Sequence, residues 1–496
     1  MSETSSSPHL SRQLGLLSLT ATGICSMIGA SVYIVPIMIQ RNVAGIGPYV
    51  LPAFLLAAVP ALLAAFAYAS LSSAMPRAGG SYIFASRGLH PYWGFVASFS
   101  QWFGLTIVIG VICYVIIPFF RDIAAALDWK VGAAYLETGW VRLTLALGLL
   151  WAFVGINMRG LQFYERTLIP LMILMFVLGG IVIFAGFSFN HADFEAALLA
   201  KEGRTIGVKT NAVFDLSTFL SAAAVLFASF IGFDSIAQAG GEAKNPERLL
   251  PKATALAVVV VGAFYFVFTA AVYHAIPWQF IAAEAAQKDI SAPGLFSVLL
   301  SPAWGVAILI GAAIALLNDL PAMLLSVSRL LFAWAEDGIF SKNIAKVNPR
   351  TQTPQNALLL SGFMATIGVL GSHFASDFFL GIDIMVTSML VNFLLMCVTL
   401  VVLPKKNPAI AKNIKVLTSN SLRKTLAWLG ITFLFGFLAI HVWKDVNASA
   451  THWYFHSTYV WLLVMAVASL IYFWRLRRLA KNGVDLEAVF NTLPEE

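Results

Sequence analysis

Apolar residues run along this chain in stretches of about 20, the length a helix needs to cross the ~30 Å hydrocarbon core of a bilayer. Polar residues gather in the gaps between them. Twelve such stretches are predicted as spanning helices, over residues 14–40, 49–71, 92–119, 141–157, 168–187, 216–239, 253–276, 304–334, 356–371, 378–403, 426–442 and 459–474. Two of them are interrupted at their middles by small and polar residues. The first carries Gly23-Ile24-Cys25-Ser26-Met27-Ile28-Gly29-Ala30-Ser31, and the sixth carries Ala228-Ser229-Phe230-Ile231-Gly232-Phe233-Asp234. In hydrocarbon a free backbone N–H or C=O finds no water, so a helix breaks at mid-membrane only where the break lines a cavity. Two breaks five spans apart predict a binding site built from half-helix ends, of the kind found in secondary transporters.

The matched positions of the breaks also divide the chain. The expected organisation is an N-terminal tail over 1–13 and a transporter core over 14–403. The core is made of one five-span repeat at about 14–187 and a second at about 216–403. A loop over 404–425, two further helices over 426–474 and a C-terminal tail over 475–496 complete it. Five is odd, so the two repeats have opposite orientations in the membrane.

Composition agrees with this pattern. Of 496 residues, 59% are hydrophobic and 11% charged, and the mean hydropathy is +0.83, outside the range of soluble domains. Met1 to Ser11 has no basic region followed by a short apolar core and a cleavage site, so the first apolar stretch is read as a retained span. Cys25, Cys113 and Cys397 all fall inside spans and give no disulfide framework. With a cytoplasmic N-terminus, 22 of the 31 Lys and Arg residues fall on the cytoplasmic side, as the positive-inside rule requires. The expectation is a multi-pass plasma-membrane protein, a bacterial inner membrane being the leading case, with both termini inside. The net charge of +7 is then a topology signal. Nucleic-acid binding is a poor reading, because the basic residues are scattered over short loops.

The candidate chemistry lies at the breaks. Gly29, Ala30 and Ser31 open a half-helix whose first amides are free and partly positive, a place for a substrate carboxylate. Close helix packing by small residues is the competing reading. The half-helix before the second break ends with carbonyls near Phe227, Ser229 and Ile231 that can accept from an ammonium. A carboxylate at one break and an amine at the other describe an amino acid. Met27 borders the first break, and Phe230 is a candidate gate, with core packing as its alternative. Ionisable residues inside spans are functional candidates. Here they are Asp234, Asp319 and Asp383, each able to carry a proton or meet a cation, and each with a hydrogen-bonded structural role as the alternative. Asn318 and Pro321 flank Asp319 and predict a distorted helix there. Asp383 is placed in an outer vestibule. Ser326 and Ser328 can bind Na⁺ or bond their own helix. No HExxH, GxxxxGK[ST] or His/Cys cluster occurs, so no enzyme activity, metal, cofactor or direct ATP drive is expected.

At these residues the chain resembles the amino acid–polyamine–organocation (APC) superfamily of permeases. Met27-Ile28-Gly29-Ala30-Ser31-Val32-Tyr33 is similar to the family's first-span break. Pro76-Arg77-Ala78-Gly79-Gly80-Ser81-Tyr82 resembles its P-x-A-G-G-x-Y signature. Gly232-Phe233-Asp234 followed by Gly241-Glu242-Ala243-Lys244-Asn245-Pro246-Glu247-Arg248 resembles G-[FY]-[DE]…E-x-K-N-P-x-R. Ser328-Arg329-Leu330, Glu336-Asp337-Gly338 and Arg350-Thr351-Gln352-Thr353-Pro354 continue the order over residues 14–360. The resemblance implies an all-α membrane protein with the leucine-transporter fold: a 5+5 inverted repeat with helices 1 and 6 broken, plus two helices. It implies a substrate carboxylate at Gly29–Ser31, an amine at the carbonyls of Ser229 and Ile231, and a gate at Phe230. The lysine that some proton-coupled relatives place in span 5 is missing from Leu168–Phe187, and Ala69-Ser70-Leu71 stands where many have an acid. The expected function is a permease moving an amino acid or related amine by alternating access, with proton symport or exchange as the coupling and Na⁺ as the lesser alternative. A polyamine or organocation carrier, with Asp319 or Asp234 holding the second charge, and a membrane amino-acid sensor are the other readings.

Overall fold

The computed structural model describes residues 10–206, 213–288, 290–375, 379–417, 419–448 and 452–494, with only the backbone of 30, 31, 375 and 379. Residues 1–9 of the expected N-terminal tail and 207–212 of the loop before span 6 lie outside the described residues. The described chain is almost entirely helical. Its extended pairing consists of two isolated bridges, Leu14 with Ala243 and Ala78 with Ala239.

Among the described residues, twelve helical segments are long and apolar enough to cross a membrane: Leu16–Asn42, Gly47–Ala74, Pro91–Ala126, Gly139–Met158, Leu161–Ser188, Leu216–Gln238, Pro246–Ala275, Pro302–Glu336, Gln355–Phe374, Leu380–Lys406, Asn420–Val446 and Ser457–Lys481. They are called spans 1 to 12 below. Spans 3 and 8 are the long central members. Span 3 packs against spans 8, 9 and 10, while span 7 packs against span 2, span 5 and the first half of span 1. Span 1 is 94% buried over its most apolar window and span 12 only 17%, so the broken span is at the centre and the last span at the rim. Leu470, Phe184 and Phe435 point outward from the rim.

Span 8 carries its proline inside the helix. The Asn318-Asp319-Leu320-Pro321 stretch does not interrupt it, and Pro302–Glu336 is one continuous helix. A single proline removes one N–H from the ladder, and in a packed bundle that loss is tolerated without a break. Span 6 is broken at its middle, as expected. After its break it makes only one helical turn, Ser235–Gln238, then a 3₁₀ turn at Gly240–Glu242. Gly240 lies so close to the Arg77 backbone that a Cβ there would fall 2.5 Å from the Arg77 carbonyl oxygen. That close approach to the connection after span 2 holds the chain in a turn.

The described chain begins and ends on one face, here the termini face. The connection between spans 5 and 6 contains a helix, His191–Glu202, opened by a capping box between Asn190 and Asp193. Its Lys201 donates to the Leu300 carbonyl at 2.8 Å, ahead of span 8.

Candidate functional site

The first break is two residues long. The helix Leu16–Met27 ends, Ile28 and Gly29 adopt non-helical angles (φ −96°, ψ 85° and φ −112°, ψ −139°), and Ala30–Asn42 begins. Ala30 and Ser31 therefore belong to the first turn of the second half-helix, where amides have no intrahelical acceptor. Their side chains lie outside the described residues. At the end of the first half-helix, the Met27 carbonyl accepts from Tyr265 Oη of span 7 at 3.0 Å.

The second break is longer. Leu216–Leu226 runs into a 3₁₀ turn at Phe227–Phe230, Ile231 is extended, and Gly232 takes φ +133°. Only glycine holds such an angle without strain. The Gly232 backbone abuts the end of the first half-helix of span 1. A Cβ there would stand 2.1 Å from the Ser26 carbonyl oxygen and 2.8 Å from the Met27 nitrogen. The two breaks are thus in direct contact, main chain on main chain.

Beside this contact lies a cavity of about 70 Å³. Five spans wall it: Ser26, Met27, Ile34 and Val35 from span 1; Val108, Val111, Ile112 and Val115 from span 3; Ala228 and Ile231 from span 6; Leu316, Asp319 and Met323 from span 8; Ile382 and Met385 from span 10. Among the described residues, Asp319 is the one ionisable group that lines it. The residue is 4% exposed, and its Oδ1 is buried with no hydrogen-bond partner. A Cβ on Gly29 would fall 2.3 Å from Asp319 Oδ2. The absence of a side chain at Gly29 is what lets this carboxylate reach the start of the second half-helix.

Of the residues singled out in the sequence, Met27, Ile231 and Asp319 line the cavity and Gly29 seats the Asp319 carboxylate. The others whose side chains are described are elsewhere. Phe230 packs its ring 5.2 Å from Phe54 and 6.5 Å from Tyr265 and contributes nothing to the cavity wall. Phe227 packs on Phe393 and Phe437. Ser229 is buried with an unpartnered hydroxyl. Ser326 is likewise buried and unpartnered. Ser328 is engaged twice, donating to the Leu325 carbonyl at 2.7 Å and accepting from Arg329 at 2.9 Å. Among the described residues no cluster of His, Cys, Asp or Glu fits a metal ion. Asp383 sits half-buried near the start of span 10, where its carbonyl accepts from Thr387 at 3.0 Å.

Asp234 is fully buried outside the cavity and braces the second break. Its Oδ1 accepts from the Gly232 amide at 3.2 Å, and its Oδ2 accepts from Gln101 Nε2. Gln101 Oε1 in turn accepts from Ser81 Oγ at 2.5 Å and Gln238 Nε2 at 3.1 Å. A side chain from span 3 and one from the connection after span 2 therefore hold the Gly232 turn in place.

The motif residues converge on the termini face and close it. Leu14 and the segment around Ala243 bridge through Leu14 N–H to Glu242 C=O and Lys244 N–H to Leu14 C=O, both 2.9 Å. Glu242 and Arg329, both buried, form an ion pair. Arg87 makes a two-pronged pair with Asp337 at 2.6 and 2.8 Å, and Tyr82 Oη donates to Asp337 Oδ2 at 2.5 Å.

The apolar wall of the cavity escaped the sequence reading. Its signal exists: Val108, Val111, Ile112 and Val115 are spaced as one helix face, and so are Leu316, Asp319 and Met323. Every face of these spans is apolar, however, so the spacing does not distinguish a cavity face from a packing face.

Known proteins share this arrangement of sequence. A model of the amino acid permease family matches residues 14–468. The mouse cationic amino acid transporter 4 is 29% identical over 75% of this chain and 57% of its own length. The methylthioribose transporter of Bacillus subtilis is 26% identical over 84% of this chain and 86% of its own. The branched-chain amino acid permease BcaP of the same organism is 26% identical over 83% and 85%. The match thus spans little more than half of the mouse relative. The family model takes in both broken spans, all five walls of the cavity and the motif residues that close the termini face, and the chain belongs to the amino acid permease family.

Proposed function

We propose that the protein is a secondary carrier that moves an amino acid or a related amine across the plasma membrane by alternating access, with both termini in the cytoplasm. The observation that carries this reading is the cavity walled by both discontinuous spans and holding one buried, unpartnered carboxylate, Asp319. A polar group at mid-membrane is costly unless it serves a solute or an ion. The relatives named for cationic amino acids, for branched-chain amino acids and for methylthioribose support carriage of a small polar solute and leave its side chain open.

The termini face is closed by the Glu242–Arg329 pair and the Leu14–Ala243 bridge. We read this as a conformation shut toward the cytoplasm. The inward-facing state would separate these contacts as one helix bundle rocks against the rest of the core. Outward-pointing Phe184, Phe435 and Leu470 would meet lipid. Coupling is by proton or by exchange. Asp319 is the carboxylate in the cavity, whereas Ser328, one of the two hydroxyls available for Na⁺, is already spent on hydrogen bonds.

The test is uptake by the purified protein in liposomes, using a radiolabelled panel of amino acids and amines with and without an imposed pH or Na⁺ gradient. Saturable uptake that follows the pH gradient, or that needs preloaded substrate, is expected. Saturable binding with no uptake under any gradient would overturn the carrier reading in favour of a sensor.

A further inference from the structure

Beyond span 12 the chain folds back onto the termini face. It turns at Gly483 (φ +79°) and forms a six-residue helix, Leu486–Asn491, capped by Asp485, whose side chain accepts from the Ala488 amide at 3.0 Å. Asp485, Glu487, Ala488 and Asn491 are exposed, but Phe490 is only 6% exposed. The guanidinium carbon of Arg87, in the connection after span 2, lies 5.5 Å from the centre of its ring, a favourable cation–π placement. The backbone after Phe490 is held by two arginines of that same connection. Arg87 Nε donates to the Thr492 carbonyl at 3.2 Å, and Arg77 Nε donates to the Pro494 carbonyl at 2.8 Å. Hydrogen bonds from a charged donor are the strong ones. These two fix the main chain of the segment, and Phe490 is its side-chain anchor.

The two ends of this segment are fastened to different parts of the core. At its root, Arg475 of span 12 donates to the carbonyls of Gly338 and Ile339, just after span 8, at 3.1 Å each. At its far end, Arg77 is packed on the end of span 6. A Cβ on Gly240 would fall 2.5 Å from the Arg77 carbonyl oxygen, and the neighbouring Ala78 bridges Ala239. Span 8 also supplies Arg329, and the turn after span 6 supplies Glu242, the ion pair that shuts the termini face. The segment therefore crosses the same seam as that pair. It cannot lengthen without giving up the contacts at Arg77, Arg87 and Phe490, so separating span 6 from span 8 on this face has to break them. Contacts made only in the shut state shift the equilibrium toward it.

We propose that residues 485–494 form an inhibitory strap that holds the termini face shut and slows transport, with Phe490 as its anchor and Arg77 and Arg87 as its receivers. The inference rests on the carrier reading above and adds a brake to it. Release of the strap from the two arginines is then a step of every inward opening.

The test reads opening of the seam and transport separately. Ala243, fully buried where the seam closes, is replaced as a reporter, Ala243→Cys. Its labelling by a maleimide in detergent is followed by peptide mass spectrometry, since the labelling rate of a buried thiol follows the population of the open form. The native Cys113 and Cys397, both buried in other spans, report general loosening. Three proteins are compared: the full chain, a chain ended at Val484, and Phe490→Ala. Ending the chain at Val484 is expected to speed labelling of the reporter at least about ten-fold, equivalent to about 1.4 kcal/mol. Phe490→Ala should speed it about two-fold or more, the worth of one cation–π contact. Cys113 and Cys397 should keep their rates, and the initial rate of uptake into liposomes, measured without the reporter, should rise in the same order. Reporter labelling no faster than in the full chain, or an equal acceleration at Cys113 and Cys397, would overturn the proposal and leave the carrier reading standing. So would an active carrier that takes up solute no faster once the strap is removed. If none of the proteins takes up any member of the panel, the carrier reading falls instead, and the labelling alone decides the strap. Phe490→Ala decides the matter should the shortened protein fail to fold.

Discussion

Gly232→Ala tests the contact on which the site is built. The substitution adds one methyl group, yet two costs coincide. The backbone at φ +133° lies where an L side chain is strained, at about 1–3 kcal/mol. The new Cβ would lie 2.1 Å from the Ser26 carbonyl oxygen and 2.4 Å from its carbon, and these are main-chain atoms of the neighbouring half-helix that cannot swing away. Overpacking of this kind costs about 1–3 kcal/mol. Together the expected loss is about 2–6 kcal/mol, or a fall of the apparent unfolding temperature on the order of 5 °C, with uptake lost because the two breaks are forced apart. Gly29→Ala is the instructive comparison. Its clash is with the carboxylate end of one side chain, which can turn at a cost of about 1 kcal/mol. It should unfold close to wild type yet lose substrate binding, since Asp319 would be displaced. Gly148→Ala, with nothing within 4 Å, is the control. The assay is thermal unfolding in detergent followed by size-exclusion chromatography, with uptake into liposomes measured in parallel. A Gly232→Ala protein that unfolds with the Gly148→Ala control and transports normally would refute the direct contact of the two breaks.

Three further outcomes are expected. Glu242→Met leaves Arg329 buried and unpaired, which should destabilise by about 3–5 kcal/mol, and the double replacement Glu242→Met/Arg329→Met should recover most of that in the same unfolding assay. Asp234→Leu removes both the Gly232 amide acceptor and the Gln101 partner and should abolish uptake, whereas Asp234→Asn keeps one acceptor oxygen for Gly232 and should retain a measurable rate; equal rates in the two variants would argue against the bracing role. On the face opposite the termini, burial alone would raise the Glu284 carboxyl, but hydrogen bonds and charge from Arg204 and Lys288 more than reverse this and hold it below the usual carboxylate range. Its contribution to stability is then present above about pH 4.3 and lost as the pH falls through the lower folded-state value, so Glu284→Gln should flatten the decline of unfolding temperature between about pH 5 and 3.

Much of the architecture was legible in the order of residues because a bilayer imposes a length and a polarity on each segment. All twelve predicted spans needed only adjusted ends, and the interruptions at Gly29 and Gly232 were visible as small residues where hydrocarbon demands unbroken hydrogen bonding. Local sequence did not show how neighbours shape each span. Span 8 runs through Pro321 as one helix, and span 6 stops at Gln238, where Gly240 is pressed onto Arg77.

The sequence by itself determined which segments cross the membrane, which two of them break, and which acids are stranded in apolar surroundings. Those properties follow from composition over about 20 residues and need no partner. Only the tertiary structure decided what the acids do. Asp234 and Asp319 read alike along the chain, but one is turned into a lattice of amides from Gln101 and Gly232 while the other lies open to a cavity against Gly29. The same holds for Phe230, whose ring belongs to the packing against Phe54 and Tyr265. A side chain on a helix that is apolar all round carries no mark of which neighbour it faces. That choice is made when spans 1, 3, 6, 8 and 10 pack together, and with it the site acquires its shape and its carboxyl group.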